Sequence, residues 1–137
     1  MSRVRQAAQR TSRGQAAVEF AMAVTVFLML VFGTLDFGRA IYAYSFCSYA
    51  ARDASRYAAV NGANSTQPAT ASDVTSFVDN EAVGLDQSAL TVSTTWNPNN
   101  NAGSVVQVQV EYAFHPVSWF FPSTTLTLSS ASQMVIW

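Results

Sequence analysis

The chain has 137 residues, of which 50% are hydrophobic and only 11% charged, and its net charge is −1. That length holds one small domain plus an apolar anchor, and the low charge excludes an ordinary domain that meets water on every side. All seven basic residues are arginines, and Arg3, Arg5, Arg10 and Arg13 precede the apolar run, so the basic charge belongs to the amino-terminal segment and not to a nucleic-acid face. Cys47 is the only cysteine, which excludes an intrachain disulfide. With one histidine (His115), no metal-ligand spacing and no glycine-rich phosphate loop, the sequence offers no catalytic residues, no cofactor or metal site and no small-molecule substrate.

The first predicted element is an apolar helix over 15–35. At ~1.5 Å rise per residue it is about 31 Å long, matching a hydrocarbon core of about 30 Å. Four arginines and no acid precede it, whereas Asp36, Arg39, Arg52 and Asp53 follow in balance, so the amino terminus is expected in the cytoplasm and the rest outside. A secretory signal peptide is the competing reading. Its apolar core is normally shorter and ends at small residues, whereas this run continues into Asp36-Phe37-Gly38-Arg39, and Tyr44-Ser45-Phe46 before Cys47 is too bulky for a lipoprotein cleavage site. Glu19 is the only charge between Arg13 and Asp36. A carboxylate at the centre of a membrane helix costs about 2.5–3.5 kcal/mol, so it is expected to have a task and a partner. The plainer alternative leaves it at headgroup depth beside Arg13.

The same helix is expected to extend through 36–61. Asp36 and Arg39 stand three apart, can pair on one face and mark the outer membrane boundary. Ala43, Cys47, Ala50, Ala54 and Ala58 recur at helical spacing as a narrow stripe of small residues, suited to close packing against another subunit or against the chain's own sheet. Tyr42, Phe46 and Tyr49 repeat the spacing on a neighbouring face, and Asn61-Gly62 is the predicted stop.

Residues 62–137 read as a small outer domain. A polar loop over 63–72 precedes a short helix over 73–83, capped by Ser72 and ended by Gly84. Leu90, Val92, Thr94 and Trp96 alternate with polar residues, as do Val106, Val108, Val110, Tyr112 and Phe114, predicting two strands joined by a flexible loop from Asn97 to Gly103. A third strand over 124–137 carries Leu126, Leu128, Met134 and Ile136, with Ser130 and Ser132 interrupting the pattern as a bulge. The fold class is α+β: a long amino-terminal helix packed on a small domain with a short helix and a three-stranded antiparallel sheet. So thin a core needs the long helix to cover it. Trp119-Phe120-Phe121 fits either a contact patch or filling of the sheet edge, and Asn64-Ser65-Thr66 matches the short glycan-acceptor pattern.

The stretch Arg13-Gly14-Gln15-Ala16-Ala17-Val18-Glu19-Phe20, with its basic leader and apolar helix, resembles a prepilin peptidase substrate, and within that class the TadE-like minor pilins, or pseudopilins, of tight-adherence pili. The resemblance covers about residues 13–60 and continues through Asp36-Phe37-Gly38-Arg39 and Ala50-Ala51-Arg52. It departs from the family at Thr25, where relatives often carry a proline that kinks the helix. The resemblance implies a pilin-like fold, cleavage of leader 1–14 after Gly14, Gln15 as the new amino terminus, and Glu19 and Phe20 as the fifth and sixth mature residues. It also implies a structural pilus component in the bacterial inner membrane, later in a pilus or at the cell surface, whose partners are the membrane, the peptidase, other pilins and the assembly platform. The new amine at Gln15 would lie one helical turn from Glu19, able to pair within the chain or across subunits and set axial register. The alternative is a permanently anchored single-span envelope protein, an adhesin or binding module, that is never shortened.

Overall fold

The computed structural model describes the backbone of residues 2–117 and 125–137, with side chains from Gly14 onward. Its elements are α1 (Ser2–Val60), α2 (Ala71–Glu81), a 3-10 turn (Gln87–Ala89), β1 (Leu90–Asn97), β2 (Val105–Phe114) and β3 (Leu126–Val135). This is the predicted α+β architecture, and the chain divides into two compact units, Met1–Phe37 and Gly38–Trp137.

In the first unit the helix carries no proline, and the hydroxyls of Thr25 and Thr34 are satisfied locally. Thr25 Oγ1 donates to the Ala21 carbonyl and Thr34 Oγ1 to the Leu30 carbonyl, both at 2.8 Å. An apolar surround therefore meets no orphan hydroxyl at either position. Phe20, Met22, Phe27, Leu30 and Leu35 are all exposed. By length and composition this helix can cross a membrane.

The second unit has its own core. The sheet order is β1-β2-β3, antiparallel throughout, with Leu90 opposite Tyr112 and Phe114 opposite Leu126. Along β2 every second residue from Val106 to Phe114 is buried, as period-2 alternation requires. Those side chains meet the small residues of α1 from Ala43 to Ala59, and Val74 and Val78 of α2 complete the cluster. At the end of α1 the Asn61 N–H and side-chain amide both donate to the Tyr57 carbonyl, at 3.1 and 2.9 Å. Gly62 then passes so close to Ile136 that a Cβ there would overlap the Ile136 Cγ2 methyl. Its backbone needs no left-handed φ; the lack of a side chain is what the site requires.

Three sequence expectations are corrected. The short helix begins two residues earlier than predicted, and its cap is Thr70, not Ser72. The Thr70 hydroxyl accepts the Asp73 N–H at 3.3 Å while the Asp73 carboxylate accepts the Thr70 N–H at 2.9 Å, a reciprocal capping box. The helix also stops at Glu81, and Gly84 instead supplies a left-handed turn residue at φ +75°. Finally, β3 has no bulge: its register against β2 is unbroken from Leu126 to Val135. Ser130 and Ser132 keep the alternation and face inward, because small hydroxyls fit where α1 comes close. Ser132 Oγ lies 2.9 Å from Ser55 Oγ of α1. The loop the sequence marks as flexible is cross-bonded, with Asn99 Oδ1 accepting from the Asn101 N–H at 3.0 Å and the Ser104 hydroxyl at 2.9 Å. Trp119-Phe120-Phe121 lies outside the described residues.

Candidate functional site

The residues singled out around the predicted cut lie on one stretch of α1. Gly14 is helical, and nothing stands within 4 Å of where its Cβ would be. Neither crowding nor backbone strain in this chain accounts for a glycine there, and glycine inside a helix costs about 0.5–1 kcal/mol relative to alanine. One helical turn from Gln15, Glu19 Oε1 accepts a hydrogen bond from the Gln15 side-chain amide at 3.1 Å. The sequence anticipates Gln15 as the partner of Glu19 through its backbone amine; in the uncut chain the side chain makes the contact. Phe20 beside it is 70% exposed. The stretch is accessible, with a small residue at Gly14.

The predicted packing stripe lies in the second unit. Ala43, Cys47, Ala50, Ala54 and Ala58 are all fully buried, together with Ala51, Ser55 and Ala59. The sequence left open whether this face meets another subunit or the chain's own sheet, and the structure sets it against the sheet. Ser55 Oγ donates to the Arg52 carbonyl at 2.8 Å as well as meeting Ser132. Cys47 Sγ lies 3.7 Å from the Leu128 carbonyl, and burial pushes its thiol up from the ordinary range. A raised thiol is a poor nucleophile, so Cys47 acts as packing. On the neighbouring face Phe46 is buried while Tyr42 and Tyr49 stay exposed.

Asp36 falls in the first unit and Arg39 in the second. The Arg39 guanidinium stands over the Phe114 ring, 5.3 Å from its centroid, a cation–π contact at the end of β2. His115 Nε2 lies 3.2 Å from Thr125 Oγ1. Asn64 is exposed in the turn after α1. Among the described residues no group of three or more His, Cys, Asp or Glu could hold a metal ion.

Contacts between α1 and α2 are the part that sequence reading misses. Tyr57 and Phe77 stack at 4.8 Å with 10° between their planes, and the exposed Tyr42 donates to the Val83 carbonyl at 2.8 Å. Tyr49 donates to Asp53 at 3.3 Å. Glu81 of α2 has a buried Oε2 without a hydrogen-bond partner, and burial together with the nearby Asp53 charge raises its carboxyl above the ordinary range. The aromatic residues of α1 and the single aromatic of α2, Phe77, were the available signal. Which pairs meet depends on how α2 returns along α1.

Comparison with known families gives one finding. Residues 14–56 match the family described as TadE-like protein, 43 of the 137 residues, so the resemblance seen in the sequence has independent support over the apolar helix and the first part of the stripe. No curated protein and no solved structure matches the chain.

Proposed function

We propose that this chain is a structural component of a tight-adherence pilus system, a minor pilin or pseudopilin that is trimmed between Gly14 and Gln15. Before trimming it sits in the bacterial inner membrane with its arginine-rich leader in the cytoplasm and its α+β unit outside. Asp36 and Arg39 mark the outer boundary of the span. A prepilin peptidase removes the leader. The mature helix then packs with other pilins on the assembly platform, and Glu19 accepts the new Gln15 amine of its own chain or of a neighbour.

The observation that carries this reading is Gly14: an open, unstrained, helical glycine has no internal reason, whereas a peptidase needs a small residue at an accessible site. The apolar helix, the Gln15–Glu19 contact and the match over residues 14–56 support the same reading. A buried ion pair is favourable only when its geometry is good and its partner present. Glu19 therefore gains its full role only after cleavage.

Intact-mass measurement of the protein from cells with and without the peptidase tests the processing step. The expected product starts at Gln15, and an unshortened chain in the presence of peptidase would favour a permanently anchored envelope protein. Glu19→Ala is expected to be trimmed normally yet recovered poorly in sheared fibres. Fibres with a normal content of the variant would remove the role given to the carboxylate.

A further inference from the structure

Asn61-Gly62, at the end of α1, is the one Asn-Gly pair in the chain. In such a pair the glycine peptide nitrogen can attack the side-chain amide carbon before it, because no Cβ shields that nitrogen. The other asparagines are less favourably placed. Asn64, Asn80, Asn99, Asn100 and Asn101 are each followed by a residue with a side chain, and Asn97 precedes Pro98, which has no N–H to give up.

The turn after α1 pins this pair. Asn61 Nδ2 donates to the Tyr57 carbonyl at 2.9 Å, and the Asn61 carbonyl accepts the Ala69 N–H at 2.8 Å. The Gly62 carbonyl accepts the Ser65 N–H at 2.9 Å, and the next amide, Ala63 N–H, donates to the Asn100 carbonyl at 2.7 Å. Gly62 itself is buried against Ile136. Its N–H, the nucleophile, has no hydrogen-bond acceptor among the described residues. The electrophile is therefore the held partner. Ring closure requires the Asn61 side chain to fold forward onto the following peptide, whereas its bond to Tyr57 directs it back along the preceding turn of α1.

We propose that Asn61 is a self-modification site, protected while this turn is closed and converted irreversibly once it opens. On opening, the Gly62 nitrogen bonds to Asn61 Cγ and gives up its proton, the Cγ–Nδ2 bond breaks, and the side-chain nitrogen leaves with that proton as ammonia. Water then adds to either carbonyl of the cyclic imide and opens it, leaving aspartate or isoaspartate. Neither product can restore the closed turn. A carboxylate at position 61 cannot donate to the Tyr57 carbonyl, and it puts a negative charge at the carboxyl end of α1, where the helix dipole is already negative. The isoaspartate form also adds a main-chain carbon beside Gly62, which has no spare room against Ile136. The pair thus records every opening of the joint between α1 and the loop that leads to α2.

The test follows the full chain in detergent micelles at mildly alkaline pH, with and without guanidinium, and reads conversion by peptide mapping and mass. In the unfolded chain Asn61 is expected to convert before every other asparagine, and at least about tenfold faster than in the folded chain. In low guanidinium, conversion should quicken in step with hydrogen exchange at the Ala63 and Ala69 amides, whose acceptors lie across the same turn. Asn61→Gln, which would have to close a larger ring, should stay unconverted. Asn61→Asp should melt lower, by about 4 °C or more for the loss of one ordinary hydrogen bond in a unit of this size. Should that variant fail to melt cooperatively, converted wild type separated by its added negative charge gives the same comparison. Equal rates in folded and unfolded chains overturn the protection, and conversion while Ala63 and Ala69 stay protected overturns the need for opening. A converted chain as stable as wild type, or an Asn61 no faster than the other asparagines, overturns the proposal equally.

Discussion

Replacing Gly62 with alanine probes how α1 hands the chain to the outer domain. The new Cβ would fall inside van der Waals contact of the Ile136 Cγ2 methyl and 3.4 Å from the Asn100 carbonyl oxygen. Ile136 is buried, and Cγ2 branches directly from its Cβ, so relief requires χ1 rotation or a backbone shift and not the swing of a long side chain. Overpacking of this kind costs about 1–3 kcal/mol. Restricting the unfolded chain returns about 0.4–1 kcal/mol, leaving a net loss of up to roughly 2.6 kcal/mol. A unit the size of Gly38–Trp137 loses about 4–8 °C of Tm per kcal/mol, so circular dichroism melts should fall, by up to about 20 °C. The cause is isolated by a cycle with Ile136→Leu, which lacks the branching methyl: the double variant should be more stable than the sum of the singles by at least about 0.5 kcal/mol. A Gly62→Ala melt at or above wild type, or strict additivity, would refute the close approach as the reason for this glycine.

Further outcomes follow from the caps and the acids. Thr70→Ala removes one half of the capping box and should destabilise the outer unit by about 0.5–2 kcal/mol in denaturant titration, with α2 exchanging its amide hydrogens fastest. Glu81 is raised above the ordinary glutamate range by burial and by Asp53, so the folded state binds its proton more tightly than the unfolded state. Stability should therefore increase as pH falls through the window just above the ordinary glutamate value, and Glu81→Gln should abolish that increase while stabilising the protein at neutral pH. Hydrogen bonds from Thr70 and Ser88 lower Asp73 and Asp86, whose contribution is present above the ordinary aspartate range and is lost as pH falls through the lowered values. The two effects thus occupy separate windows, and a Glu81→Gln stability curve identical in shape to wild type would refute the assignment.

What the sequence determined by itself is whatever depends on local order. The length of the apolar run, the isolation of Glu19, the basic leader and the Gly14–Gln15 junction need no partner to be recognised, and neither does the alternation that defines β1 and β2. Tertiary structure decided the rest, because close approach between distant segments leaves no local trace. Ser132 reads as a break in a strand until Ser55 of α1 stands opposite. The alanine stripe is ambiguous between a subunit and a sheet until β2 covers it. Gly62 looks like a helix stop until Ile136 fills the space its side chain would need. Edges belong to the same class: that β1 and β3 are uncharged is plain in the sequence, but that they are the outer strands, and that Glu111 sits between them, follows only from the order in which the strands pair.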